Sequence, residues 1–303
     1  MESTPDREQD LIHPNATEFF QSMTKDSEHY AMINNLQIYY ECANTADKIV
    51  NTAVILVHGW TANRLRLHPL YQQLVEDHIP VFRIDLRGHG WSQKEGTVDY
   101  SFASMADDLD QFIRNIILDQ FGFSKVIIIA HSMGGSLAQI LAIQEPKYLD
   151  KLVLIATSCN WTDKPFQNIL FWFYIEYYKR NFWKKYLRKK SGHEPWVLEH
   201  FPMWDTVYNT HGRTLFTSYH ATIHGLQNMG HFDVRDQLHK ITVPTLILVG
   251  DLDIDAPPRH SEVLHSLIPQ SELVIVPDAN HDVVIGKALT VYRIIQQFLT
   301  GSQ

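Results

Sequence analysis

Cysteine is scarce in this chain of 303 residues, with only Cys42 and Cys159 present. Two thiols cannot make a disulfide framework for a protein of this size, so a packed core and a reducing compartment are expected. Long apolar runs are also missing: no stretch reaches the ~18 uninterrupted apolar residues of a membrane-spanning helix. The opening segment, Met1 to Asp10, is acidic and polar and lacks the basic and apolar regions of a secretory signal. Asn15-Ala16-Thr17 and Asn160-Trp161-Thr162 fit the glycosylation acceptor pattern. Without such a signal they read as chance matches, and a cytoplasmic location is expected. Positive charge is not in excess either, since 26 Lys and Arg face 34 Asp and Glu. The resulting net charge of −8 argues against general nucleic-acid binding.

What is present is a strong alternation of apolar runs and helical patterns. Residues 1 to 28 read as a polar leader. His29 to Ile33 and Leu36 to Tyr40 flank Asn34-Asn35, the signature of a β-hairpin. Strands are expected over Ala53 to Val57, Pro80 to Ile84, Lys125 to Ile129, Lys151 to Ile155, Thr245 to Val249 and Glu272 to Val276. Runs such as Val54-Ile55-Leu56-Val57 are apolar on both faces, as parallel strands covered by helices on each side require. Helices are expected over Leu65 to Glu76, Phe102 to Leu118, Leu137 to Gln144, Arg259 to Leu267 and Leu289 to Leu299. This alternation predicts an α/β fold with a doubly wound, mostly parallel sheet. It breaks between residues 160 and 240, which read as an inserted helical cap dividing a core of residues 29–159 and 241–303.

The chemistry concentrates where the expected strands end. Ala130-His131-Ser132-Met133-Gly134-Gly135 follows the β-branched run at Lys125 to Ile129. A serine at a tight strand-to-helix corner is turned outward above the sheet edge, as a nucleophile needs. A hydroxyl is a weak nucleophile at neutral pH and requires a base oriented by a third group. His281 follows the last expected strand through Pro277-Asp278-Ala279-Asn280, and an acid cluster, Asp251, Asp253 and Asp255, follows the strand before it. The D-x-D-x-D spacing lacks the glycine and distal glutamate of a calcium loop. Asp251 reads as a solvated turn residue and Asp255 as a helix cap. Backbone N–H donors for an oxyanion are expected at Met133, opening the helix after the serine, and at Trp60, in the turn His58-Gly59-Trp60.

These residues resemble the α/β-hydrolase superfamily. His58-Gly59-Trp60 is similar to its His-Gly oxyanion loop, and Asp85-Leu86-Arg87-Gly88-His89-Gly90-Trp91-Ser92 to its Asp-x-Arg-Gly-x-Gly-x-Ser loop. Gly250-Asp251-Leu252-Asp253 is similar to its Gly-x-x-Asp, and this resemblance assigns the acid to Asp253. One departure is Ala130, which stands where the Gly-x-Ser-x-Gly elbow has its first glycine. The resemblance implies a serine hydrolase with Ser132, His281 and Asp253 as its catalytic residues and no cofactor or metal. Ester hydrolysis, of carboxylesterase or monoacylglycerol-lipase type, leads on generality. Thioester hydrolysis, carbon–carbon cleavage, perhydrolysis and a non-catalytic ligand-binding role on the same fold stay open.

The expected cap supplies two further features. Phe166, Ile169, Leu170, Phe173, Tyr174 and Tyr177 recur at helical spacing, which suits packing on the core or the wall of an apolar acyl pocket. Lys179 to Lys190 mixes aromatics with positive charge, a pattern of a solvated basic face or of peripheral contact with an anionic membrane. The histidines at 193, 200, 211, 220, 224 and 231 match no zinc spacing.

Overall fold

The computed structural model describes residues 29–46, 50–94, 99–162, 172–173, 175–177 and 217–301. The polar leader, the basic run Lys179 to Lys190, and all but Phe173 and Tyr177 of the apolar stripe lie outside the described residues.

Among the described residues eight strands form one sheet: β1 (His29–Ile33), β2 (Leu36–Ala43), β3 (Thr52–Val57), β4 (Val81–Ile84), β5 (Lys125–His131), β6 (Leu149–Ile155), β7 (Thr245–Gly250) and β8 (Ser271–Val276). Their order is β1-β2-β4-β3-β5-β6-β7-β8. β1 and β2 pair antiparallel, β2 runs antiparallel to β4, and β3 through β8 are parallel. The hairpin turn places Asn34 at φ +50° and Asn35 at φ +63°. Two successive left-handed residues are what a two-residue turn between right-twisted strands demands, and asparagine tolerates that region.

The α-helices described over their full length are α1 (His68–Glu76), α2 (Phe102–Phe112), α3 (Met133–Ile143), α4 (Tyr219–His231), α5 (Pro258–Leu267), α6 (Val283–Gly286) and α7 (Ala288–Thr300). Ala53, Ile55 and Val57 of β3 pack with Leu109 of α2, Leu137 of α3 and Leu264 of α5 on one face. Val54 and Leu56 pack with Leu70 of α1 and Val291 of α7 on the other. Alternate side chains of a strand point to opposite faces, so an all-apolar strand feeds both layers at once. The sheet is thus doubly wound and mostly parallel.

Several boundaries differ from expectation. The helix expected over Phe102 to Leu118 is α2 followed by a wider π-helical stretch over Ile113–Gln120. The one expected from Leu65 begins as a 3-10 turn over Arg64–Leu67 before α1. α3 starts at Met133, directly after the serine, and α6 was not anticipated because four residues carry no amphipathic period.

Between β6 and β7 the chain leaves and returns side by side. Asn160 pairs with Asp233 in an isolated antiparallel bridge, Asn160 Nδ2 donates to Asp233 Oδ2 at 2.8 Å, and Val234 N donates to the Cys159 carbonyl at 3.1 Å. α4 lies within the loop closed by this neck. Ser218 caps it by accepting from Ala221 N at 3.0 Å.

Candidate active site

β5 turns into α3 at Ser132, whose φ of +54° and ψ of −124° lie outside the regions L residues favour. Such a conformation costs on the order of 1–3 kcal/mol and persists only where the surroundings impose it. Here Ser132 N donates to the Ile155 carbonyl at 2.9 Å, and the Ser132 carbonyl accepts from Gly135 N at 2.8 Å and Thr157 Oγ1 at 2.7 Å. A Cβ on Gly134 would stand 2.5 Å from the His58 carbonyl oxygen, so only glycine lets α3 begin this close to the end of β3. Ala130 sits in regular register between Val57 and Leu154, so the corner is reached without a break in pairing.

The loop after β8 brings His281 to this corner. Its Nε2 lies 2.9 Å from Ser132 Oγ and its Nδ1 lies 2.9 Å from Asp253 Oδ2. A carboxylate only accepts, so Nδ1 carries the proton and Nε2 is left to accept from the serine hydroxyl. The Asp253 side chain is fully buried, while the His281 side chain is 17% exposed. Asp253 Oδ1 also accepts from Asp255 N at 2.9 Å and Ala256 N at 2.8 Å, which fixes the carboxylate plane.

Of the two neighbouring acids, one departs from its expected role. Asp251 is an exposed turn residue, as expected, and its carboxylate also accepts from Ala279 N at 3.1 Å, which ties the loop after β7 to the His281 loop. Asp255 does not cap α5; the N-cap is Pro257, two residues further on, and the Asp255 backbone N–H instead bonds Asp253.

Two contacts around His281 were not read from the sequence. His131 Nε2 donates to the His281 carbonyl at 3.0 Å, and the buried Arg66 pairs with Asp282. Position gives a weak signal for His131, which adjoins Ser132. Nothing local marks Arg66, whose partner is more than two hundred residues away.

The turn after β3 lies directly against the Ser132 corner. A Cβ on Gly59 would fall 2.8 Å from Ser132 Cβ, so the backbone of this turn passes where a side chain would block it. Gly59 O accepts from Ala62 N at 3.3 Å, and Thr61 is held at φ +53°, a strained value for a β-branched residue. Trp60 therefore occupies a sharply bent segment beside Ser132. Met133 opens α3, where N–H groups of the first turn have no carbonyl four residues back.

Buried polar groups support this turn from below. His58 Nε2 accepts from Leu86 N at 3.0 Å and Nδ1 donates to the Gly59 carbonyl at 2.8 Å. Full burial pushes the His58 pKa down to about 4, so the ring is neutral. Asp85, at the end of β4, accepts from Arg64 N at 2.7 Å, Arg64 Nη1 at 2.8 Å and Trp91 N at 2.9 Å. Arg64 Nε and Arg83 Nε each lie 2.6 Å from a Glu41 oxygen. Tyr39 and Trp91 flank the Arg64 guanidinium at 4.4 and 4.3 Å. Arg83 also donates to His68 Nδ1 at 2.8 Å, and burial followed by the Arg83 charge holds that imidazole well below its usual range. Two carboxylates thus balance two guanidiniums beside a neutral imidazole, the condition for burying charge without an unpaired ion.

Among the described residues no group of three or more His, Cys, Asp or Glu side chains could hold a metal ion, and no helix is long and apolar enough to cross a membrane. His220, His224 and His231 lie on α4, and the other three histidines of the expected cap lie outside the described residues.

Comparison with known proteins agrees with this architecture. Residues 52–288 match the family described as alpha/beta hydrolase fold. The chain belongs to that family and is an alpha/beta hydrolase enzyme. It is 27% identical over 289 residues to the proline iminopeptidase PfmaB of Pestalotiopsis fici, covering 89% of this chain and 98% of that protein. A thermophilic esterase from Thermogutta terrifontis superposes with a TM-score of 0.71 at 24% identity, covering 91% of this chain and 98% of that one. An esterase from Exiguobacterium antarcticum gives 0.74 at 22% identity, covering 90% and 100%. At these identities the two structures establish the fold.

Proposed function

We propose that the protein hydrolyses a carboxylic ester, of carboxylesterase or monoacylglycerol-lipase type, through an acyl-enzyme. The observation that supports the reading most is the pair of 2.9 Å contacts that join Ser132 to His281 and His281 to Asp253. In acylation the Ser132 hydroxyl attacks the ester carbonyl while His281 Nε2 takes its proton. Asp253 holds the tautomer and stabilises the imidazolium that forms. The backbone N–H groups of Trp60 and Met133 receive the charge that develops on the carbonyl oxygen. His281 then returns the proton to the departing alcohol. Water, deprotonated by the same imidazole, attacks the acyl-enzyme, and the imidazolium passes that proton to Ser132 Oγ as the acyl bond breaks and the acid leaves.

Turnover of short- and medium-chain p-nitrophenyl esters by the wild type and by Ser132→Ala tests this. Loss of about 10³-fold or more in kcat is expected, with fluorophosphonate labelling lost in parallel. Equal activity in the two proteins would remove Ser132 from the mechanism. A second reading, removal of an N-terminal proline, draws on the likeness to PfmaB. Prolyl p-nitroanilide assayed beside the esters separates the two, and a faster amide than ester would favour the peptidase.

A further inference from the structure

We infer that α4 sets the position of the oxyanion-binding amide through the Trp60 indole, with Gly225 and the Thr222 carbonyl as positioning residues. The inference deepens the hydrolase reading and rests on Trp60 N–H as an oxyanion donor. Trp60 Nε1 donates to the Thr222 carbonyl at 2.8 Å, across 162 positions of sequence, and Thr222 is fully buried. The acceptor lies on the flank of a helix, where the side chain three residues on normally stands in the way. That residue is Gly225. A Cβ there would lie 2.7 Å from Trp60 Cδ1 and 3.1 Å from Nε1, so any other residue would displace the indole. Gly225 falls at the centre of the thirteen-residue α4, where glycine weakens a helix and earns its place only through such an approach. The same point is 3.6 Å from the Met133 sulfur, so this helix surface meets both residues whose N–H groups would face the oxyanion.

α4 can serve as a support because it is fastened to the core independently of Trp60. Ser218 N donates to the Gly88 carbonyl at 2.8 Å, and Thr217 bridges His89. Asn228 Nδ2 donates to the Tyr100 carbonyl at 3.0 Å, and the Phe102 and Phe232 rings pack edge to face at 5.5 Å. The turn itself needs support, since Thr61 is strained and strained backbone holds only where its surroundings over-determine it. Gly59 bears on Ser132 from one side and the indole is pinned to α4 on the other, which leaves the Trp60 amide one place to stand. Displacing α4 would move a hydrogen-bond donor of the reaction without touching Ser132, His281 or Asp253.

The test compares the wild type with Gly225→Ala, Trp60→Ala and the double variant. The readouts are kcat, KM, thermal melting and inhibition by an aliphatic trifluoromethyl ketone, whose serine adduct carries the oxyanion. Trp60→Ala keeps the backbone donor and removes only the strut. Each single variant should lose about ten-fold or more in kcat with KM within about two-fold, and the ketone Ki should rise by a similar factor. The double variant should be no worse than the poorer single one, because both act through one contact. A folded Gly225→Ala with kcat and Ki within about two-fold of wild type would overturn the inference, as would effects that multiply in the double variant. If Gly225→Ala does not fold, Trp60→Phe carries the test, since it keeps a ring and loses only the indole N–H; unchanged kcat there would also overturn it. A wild type no more active than Ser132→Ala on every ester would instead sink the hydrolase reading, and this inference with it.

Discussion

The strand-to-helix corner at Ser132 and the turn beside it are held in place by different means. At the corner, position comes from backbone. Ser132 is clamped by main-chain bonds to Ile155 and Gly135, and small residues let α3 crowd the end of β3. At the turn carrying Trp60, position comes from side chains: Glu41, Arg83 and Arg64 from β2, β4 and the 3-10 turn, and the Trp60 indole itself, which reaches the Thr222 carbonyl on α4. A site held by backbone is damaged by adding atoms nearby. A site held by side chains is damaged from a distance.

Three substitutions sharpen that contrast. The largest effect belongs to the constellation itself. Asp253→Asn should keep the fold and lose on the order of 10⁴ in kcat, because the amide no longer imposes the tautomer in which Nε2 accepts. Steady-state kinetics with a circular-dichroism control checks this, and a loss below about ten-fold would mean that another group orients His281. Next is Arg64→Met, which leaves Asp85 without a cation in the interior and Glu41 with Arg83 alone. Breaking a buried pair by removing one partner costs about 3–5 kcal/mol, read as a lower urea midpoint, and catalysis should weaken with it because the side-chain ties from residue 64 to Glu41 and Asp85 are lost, leaving only its backbone bond to Asp85. An unchanged midpoint would show that the turn does not depend on this network.

The smallest effect is in the pH dependence of stability. His58 has a folded pKa of about 4 and His89 of about 3, both lowered first by burial, against about 6.5 in the unfolded chain. Between these values the unfolded state binds more protons, so stability rises with pH and is lost as pH falls from about 6.5 toward 4. Each such histidine contributes a slope of up to about 1.4 kcal/mol per pH unit. Urea unfolding at pH 7, 6 and 5 should show the decline, and His58→Gln should make it shallower by about one proton. An unaltered slope would mean that His58 is not buried neutral beneath the turn.

Much of this molecule was legible in its sequence because local chemistry and tertiary packing agree. Asn34-Asn35 reads as a turn because few other pairs adopt two left-handed conformations, and the structure has that turn. β3 and β5 read as two-faced strands because nothing else places four or five consecutive branched residues so well. Phe102 to Leu118 reads as helical from its apolar spacing and is helical throughout, while the widening to a π-helical stretch at Ile113 left no local mark in the residue types. Of the three acids after β7, spacing alone could not single one out. Asp253 was assigned from a resemblance, and the geometry places it on His281 while Asp251 bonds Ala279 N.

The order of elements, the small residues at the corner and the residue types fit for nucleophile, base and acid follow from the chain's local chemistry, because strand, turn and helix preferences act over a few neighbouring residues. The tertiary structure alone decided that Trp60 leans on Thr222, that Arg64 joins Glu41 to Asp85, and that His131 bonds the His281 carbonyl. These contacts link segments far apart in the chain, and their existence depends on distances that only the packed sheet and its covering helices set. A hydrogen bond needs its partners within about 3 Å, and linear order carries no such information for residues that meet only after folding.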